Sequence, residues 1–161
     1  EIIPFINAKD GRIDVIIGTD TITALNKKSD FFKEVPIESI NTTYNSQKAD
    51  LVQFLNKNAA ILHASNITLI ATGTTGGKAE KAGYKVTKML SGPMGGDAQI
   101  AARVAEGKTQ MVLFFKDPNS SHPHEVDINM LIRVCDVHNV PLATNEATAQ
   151  LLLNAIALQN N

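Results

Sequence analysis

The stretch 67-ITLIATGTTGG-77 decides the fold. Ile67–Ala71 is a short, β-rich apolar run, and it stops at a turn made only of threonine and glycine. Helix-like sequence follows over Gly77–Ala82, so the segment opens a strand–turn–helix unit. Two readings of the turn stand side by side. Its glycines let backbone amides approach an anion, its hydroxyls add donors, and the helix start behind it favours negative charge. The other reading is an ordinary strand-to-helix turn. It is not a Walker sequence, because no Gly-Lys-Ser/Thr closes it.

The same alternation continues in both directions. Toward the C-terminus, Tyr84–Leu90 reads as a partly polar strand. Asp97–Glu106 reads as a helix ended by Gly107, the usual residue for a left-handed cap. Met111–Phe115 is wholly apolar, as a strand buried on both faces of a parallel sheet requires. Val126–His138 reads as an amphipathic helix, Pro141–Thr144 as a short strand and Glu146–Leu158 as a closing helix. Toward the N-terminus, Ala49–Ala64 is a helix with Leu51, Val52, Leu55, Ala59 and Leu62 on one side, and Ile37–Thr43 is a weak strand. The expected fold is therefore α/β, an open parallel sheet with helices on both faces. Ligands of such sheets sit at the carboxyl ends of the strands, beside a topological switch point. That rule selects the segments following Ala71, Leu90 and Phe115.

Residues 1–36 fit this scheme less well. Arg12–Ile17 has the texture of a strand and Thr21–Phe32 that of a helix, bounded by Gly18 and Pro36. They read as a strand–helix unit, residues 1–36, packed on or appended to a core of residues 37–161.

Composition narrows the function classes. With 161 residues, 43% of them hydrophobic, the chain can bury a real core in one domain. A net charge of −1 provides no basic field for nucleic acid or an anionic membrane surface. No apolar run approaches the roughly 18 residues of a spanning helix. The one cysteine, Cys135, lies in an apolar helical pattern and reads as a buried structural thiol. These features suit the cytoplasm, although a chain that begins at Glu1 leaves room for a removed leader.

The candidate chemistry sits in the three selected segments. In 91-SGPMGGD-97 a carboxylate opens the next helix. Asp97 is either a plain N-cap or, facing a phosphate ester, a general base for a proton next to a carbonyl. The segment 117-DPNSSHPHEVD-127 is polar and proline-broken. His122, His124, Asp117 and Asp127 raise metal ligation, but there is no helical His pair or Cys cluster, so no metal site is assigned. A histidine donating to a phosphate or carbonyl oxygen, with Asp127 capping or facing the site, fits better. Lys48 either neutralises a phosphate or is simply exposed, and Arg133 reads as a surface residue. His63 and His138 read as structural.

Together, ATGTTG at 71–76, SGPMGGD at 91–97, FFKDP at 114–118 and PLATNEATA at 141–149 resemble the methylglyoxal synthase family over about Ile40–Leu153. The resemblance implies a parallel sheet flanked by helices, neither metal nor organic cofactor, and a homo-oligomer, typically a hexamer. It implies elimination of inorganic phosphate from dihydroxyacetone phosphate to give methylglyoxal. It also implies roles. Asp97 matches the proton-abstracting carboxylate. Thr72, Gly73, Thr74 and Thr75, with Ser91 and Gly92, match the phosphate-binding turns, and Lys48 the supporting lysine. His124 matches the histidine near the substrate oxygens, while Asp117, Asp127 and Arg133 match polar residues around the pocket.

Two departures stand out. The family's first strand ends in a His-Asp pair shortly before the lysine, where this chain has Tyr44 and Asn45. Tyr44 keeps a hydrogen-bond donor for the phosphate, but Asn45 cannot act as a base. The family's C-terminal extension, with an arginine directed at a neighbouring subunit, has no counterpart in the eight residues after Leu153. The departures leave a second reading, a non-catalytic module that binds a phosphate-bearing ligand. The family continues past its last matched helix into an apolar strand and a helix, and 12-RIDVIIGTDTITALNKK-28 has that texture. A circular permutation would account for it, and would place residues 13–17 beside the last core strand.

Overall fold

The computed structural model describes residues 11–19, 51–116 and 125–160; for Pro93, residues 125–127 and residue 160 it describes the backbone alone. Among the described residues five parallel strands form one sheet: β1 (Ile13–Thr19), β2 (Ile67–Ala71), β3 (Val86–Lys88), β4 (Met111–Phe115) and β5 (Leu142–Ala143). Their spatial order is β3-β2-β1-β4-β5. The helices are α1 (residues 51–57), α2 (Ala59–Leu62), α3 (Gly73–Lys81), α4 (Gly96–Ala105), α5 (Glu125–Val137) and α6 (Glu146–Asn160).

β1 holds the central position, with β2 on one side and β4 on the other. Residues 13–19 are thus the middle strand of the described sheet. β1 does not adjoin β5, which pairs with β4 alone among the described strands, so the placement expected from permutation is not found. Composition explains why this segment takes the centre. A central parallel strand is covered on both faces and must be apolar nearly throughout. Ile13, Val15, Ile16 and Ile17 are at most 1% exposed. The segment Ile37–Thr43, read as a strand, carries Glu38, Ser39, Asn41, Thr42 and Thr43 and lies outside the described residues, as does the helix expected over Thr21–Phe32.

Alternate residues of β1 feed two cores, as the period of two in a strand dictates. On one face Ile13, Val15 and Ile17 pack with Leu51, Phe54 and Leu55 of α1, Leu62 of α2, Ala79 of α3 and Leu153 and Ile156 of α6. On the other, Ile16 joins Ile70 and Val112 under Ile100 and Val104 of α4 and Leu131 and Cys135 of α5. Helices on both faces and an all-parallel sheet agree with the sequence expectation.

Several boundaries differ from expectation for identifiable reasons. The helix expected over 49–64 breaks at Asn58, which is buried and turns its amide to the Phe54 carbonyl (2.9 Å). Asn58 also exchanges hydrogen bonds with Gln150 of α6, at 3.0 and 2.9 Å. That reciprocal amide pair satisfies both polar groups at the α2–α6 contact. α3 starts at Gly73, four residues ahead of expectation, because the threonine–glycine turn is itself the first turn of the helix. α4 ends as expected, with Gly107 at φ 73°.

Candidate functional site

Because every strand pair is parallel, all carboxyl ends lie on one side of the sheet. The chain runs β1, β2, β3 toward one edge and then crosses to β4, so the switch point falls between β1 and β4. There Thr19 stands opposite Phe115, and Gly18 opposite Phe114. A Cβ on Gly18 would come within 2.8 Å of the Phe114 ring, so glycine lets that ring lie against the strand. The Phe115 ring meets Phe54 edge-on at 5.3 Å.

Beside the switch point the turns after β2 and β3 come together. Thr72 is the N-cap residue of α3, in extended conformation, and its side chain makes no capping bond. Its carbonyl accepts from the Gly76 amide at 2.8 Å, and the Gly73 amide points to the Leu90 carbonyl at 3.4 Å. A Cβ on Gly73 would lie 3.6 Å from the Ser91 nitrogen, so the two turns touch backbone to backbone. Thr72 and Gly73 are half-buried and Thr74 is exposed, whereas the Thr75 side chain is buried. Thr75 can therefore serve an anion chiefly through its first-turn amide.

After β3 the chain makes a tight 3-10 turn, Gly92–Met94, and passes through Gly95 at φ 102° into α4. The Ser91 carbonyl accepts from the amides of Met94 (3.0 Å) and Gly96 (2.9 Å). Gly96 has no room for a side chain, since a Cβ there would run into the Leu90 carbonyl oxygen. Gly95 occupies the N-cap position, so Asp97 is not the cap of α4 but lies in its first turn. Its carboxylate is folded back over Gly92, where a Cβ would sit 3.0 Å from Oδ2 and 3.3 Å from Oδ1. Asp97 is half-buried.

The structure thus gathers Thr72, Gly73, Thr74, Ser91, Gly92 and Asp97 into one cluster, with the Thr75 backbone behind them. This cluster pairs amide and hydroxyl donors with one carboxylate. It can hold a tetrahedral anion while a base faces the atoms attached to it. Lys48, Tyr44, Asn45, Asp117, His122 and His124 lie outside the described residues, and the Asp127 side chain does too, though its backbone is in α5. Arg133 is exposed on α5. Among the described residues no group of three or more His, Cys, Asp or Glu is placed to hold a metal ion. No described helix is long and apolar enough to cross a membrane.

Two features were missed in the sequence. The Gln99 side chain on α4 accepts from the Leu90 amide (2.9 Å) and pins the strand end that carries Ser91. Its only signal is a polar residue two positions after Asp97. The other is the end of β1, where Thr19 closes the strand at the switch point; Asp20, the next residue in the sequence, lies outside the described residues.

Fold and site define a class: a parallel α/β domain whose glycine- and threonine-rich turns bring backbone amides, hydroxyls and a carboxylate together at the strands' carboxyl ends. The family model described as the MGS-like domain matches residues 50–144. The chain is 52% identical over 118 residues to a methylglyoxal synthase of Cupriavidus taiwanensis, covering 73% of this chain and 87% of that one. It is 50% identical over 114 residues to a methylglyoxal synthase of Borreliella burgdorferi, covering 70% and 89%. A crystal structure of methylglyoxal synthase from Elizabethkingia anophelis superposes with a TM-score of 0.65 at 33% identity, covering 89% of this chain and 78% of that one. This chain belongs to the MGS-like domain family.

Proposed function

We propose that the chain is a methylglyoxal synthase, eliminating inorganic phosphate from dihydroxyacetone phosphate. The observation that carries the reading is the Asp97 carboxylate folded over Gly92, in the turn that abuts the amino end of α3. The relatives at about half identity support the same reaction.

In the proposed sequence, Asp97 takes a proton from the hydroxymethyl carbon next to the carbonyl, and the electron pair becomes an enediolate. The carbon–oxygen bond to phosphate then breaks, with the pair leaving on the phosphate oxygen. The enol that remains ketonises to methylglyoxal as carbon regains a proton. No electron donor or acceptor is consumed. The leaving phosphate is received by the Thr72–Thr75 amides and hydroxyls and by Ser91 and Gly92, with Lys48 and Tyr44 supplying charge and a donor. His124 donates to the substrate oxygens as charge develops, and Asp117 and Asp127 orient groups around it.

The central position of β1 adds a candidate to that reading. Asp20, the next residue in the sequence after Thr19 at the close of β1, would supply a carboxylate whose loss Asn45 had suggested. Cytoplasmic location and a homo-oligomer, such as a hexamer, accompany this reading. Incubating the purified protein with dihydroxyacetone phosphate should release phosphate and methylglyoxal in equal amounts. Phosphate binding without either product would instead favour the non-catalytic module.

A further inference from the structure

At the opposite end of the sheet, around the amino ends of β1 and β2, lies a cleft of about 390 Å³. It is lined by Arg12, His63, Ser65, Thr68, Lys85 and Thr87 over a floor that includes Leu62 and Ile67. None of its described lining residues is acidic. Arg12 precedes β1 and donates from Nη2 to the Thr68 hydroxyl at 3.2 Å, which holds the guanidinium across the cleft. That is its one side-chain partner among the described residues, and it leaves most of the guanidinium donors free. Lys85 has no ion-pair partner among the described residues, where the carboxylates that form pairs are engaged by other cations. Asp14, two residues beyond Arg12 along β1, is held by Arg103 at 3.2 Å, and Glu80 by Lys88 at 3.0 Å. The His63 ring is stacked flat on Tyr84, centroids 4.6 Å apart and planes 6° from parallel, while the Tyr84 hydroxyl is tied to Asn56 at 2.9 Å. The imidazole is thus fixed in orientation, and its nitrogens have no hydrogen-bond partner among the described residues.

A planar donor fork, a separate ammonium, a fixed imidazole and the hydroxyls of Ser65, Thr68 and Thr87 line one cleft. A flat carboxylate uses such a set poorly, because its acceptors lie in one plane. A phosphate group, with tetrahedral oxygens and up to two charges, uses it well. We infer that this amino-end cleft is a second anion site, taking the phosphate group of inorganic phosphate or of a small phosphate monoester, separate from the carboxyl-end cluster.

The test is a titration of the full chain followed by amide nuclear magnetic resonance. Inorganic phosphate, glycerol 3-phosphate and sodium chloride are compared at matched ionic strength. The amides of Thr68, Lys85 and Thr87 should shift saturably with one or both phosphate compounds and not with chloride, and the more effective compound identifies the source. The Arg12→Gln/Lys85→Gln double variant should abolish these shifts. Lys85→Glu alone should weaken binding roughly tenfold or more, the scale of one lost charge-assisted hydrogen bond. Both residues are exposed, and Lys85→Glu serves as a second variant should the double variant fold poorly. The inference is overturned if these amides stay still, follow chloride equally, or respond unchanged in the variants. Amides of Thr74 and Gly92 report the carboxyl-end cluster in the same spectra, so failure there breaks the functional proposal without touching this one.

Discussion

The two ends of the sheet are built from different materials. At the carboxyl end, the proposed donors are backbone groups: glycines at 73, 92 and 96 let the turns pack closely, and one carboxylate sits among them. At the amino end, donors come from long side chains, Arg12 and Lys85, reaching over an otherwise plain strand start. Backbone donors are already ordered by folding, so they suit a place where charge develops during a reaction and nothing should reorganise. Side-chain donors are ordered less completely before binding, Lys85 least since it has no ion-pair partner among the described residues, which suits recognition more than catalysis. β1 joins the two ends, with Arg12 before it and Thr19 at its close.

The sharpest break in this comparison is at Asp97. Asp97→Asn keeps shape but removes proton acceptance. Turnover of dihydroxyacetone phosphate should fall by roughly a hundredfold or more. Since Asp97 lies in the first turn of α4 but is not its cap, stability should drop by only about 0.3–1 kcal/mol, the worth of a charge near a helix start. Retained turnover in this variant would move the base elsewhere, with Asp20 next to be tested.

A cut through the strand that joins both ends should be felt globally. Ile16 is fully buried between Ile70 and Val112, and Ile16→Ala should cost about 2–5 kcal/mol in urea unfolding. A loss below that range would argue against the central position of β1.

Gly96→Ala acts on the carboxyl end alone. Its methyl group would push into the Leu90 carbonyl, so the Ser91–Gly92 turn must shift, at a cost of about 1–3 kcal/mol. Activity should fall by more than the stability loss explains, measured well below the melting temperature. Equal activity would mean that the turn's placement does not matter to catalysis.

The smallest effect involves Cys135, away from both ends. Burial, and then the charge of Asp136, push its thiol from 9.0 up to about 11. The folded chain holds the thiol proton after the unfolded chain has released it. The thiol's contribution to stability is full below pH 9.0 and is lost as pH rises through about 11. Cys135→Ala should flatten the fall in stability over that window relative to the parent. The folded parent should also resist thiol reagents at neutral pH.

How much was legible varies by element. Ile67–Ala71 and Met111–Phe115 were readable to the residue, because short apolar runs bounded by turn residues have few other fates. The end of α4 was readable at Gly107, where φ is 73° and glycine is needed. The break at Asn58 was not, because it depends on Gln150, 92 residues away. The cluster's members were legible from turn composition, but not their contact. That Gly73 meets Ser91, and that Asp97 turns back over Gly92 instead of capping α4, is geometry between segments.

By itself the sequence determined the class of fold, most of the helices and strands of the region from Leu51 on, and the glycine- and threonine-rich turns at the strand ends, because each of these follows from local pattern and chemistry. Which apolar segment becomes the centre of the sheet was a tertiary decision. Arg12–Ile17 and Ile37–Thr43 both read as strands near the N-terminus, and a central strand demands burial on two faces at once, which local pattern does not decide. β1 meets that demand with Ile13, Val15, Ile16 and Ile17, and in doing so places Thr19 at the switch point and Arg12 over the opposite cleft.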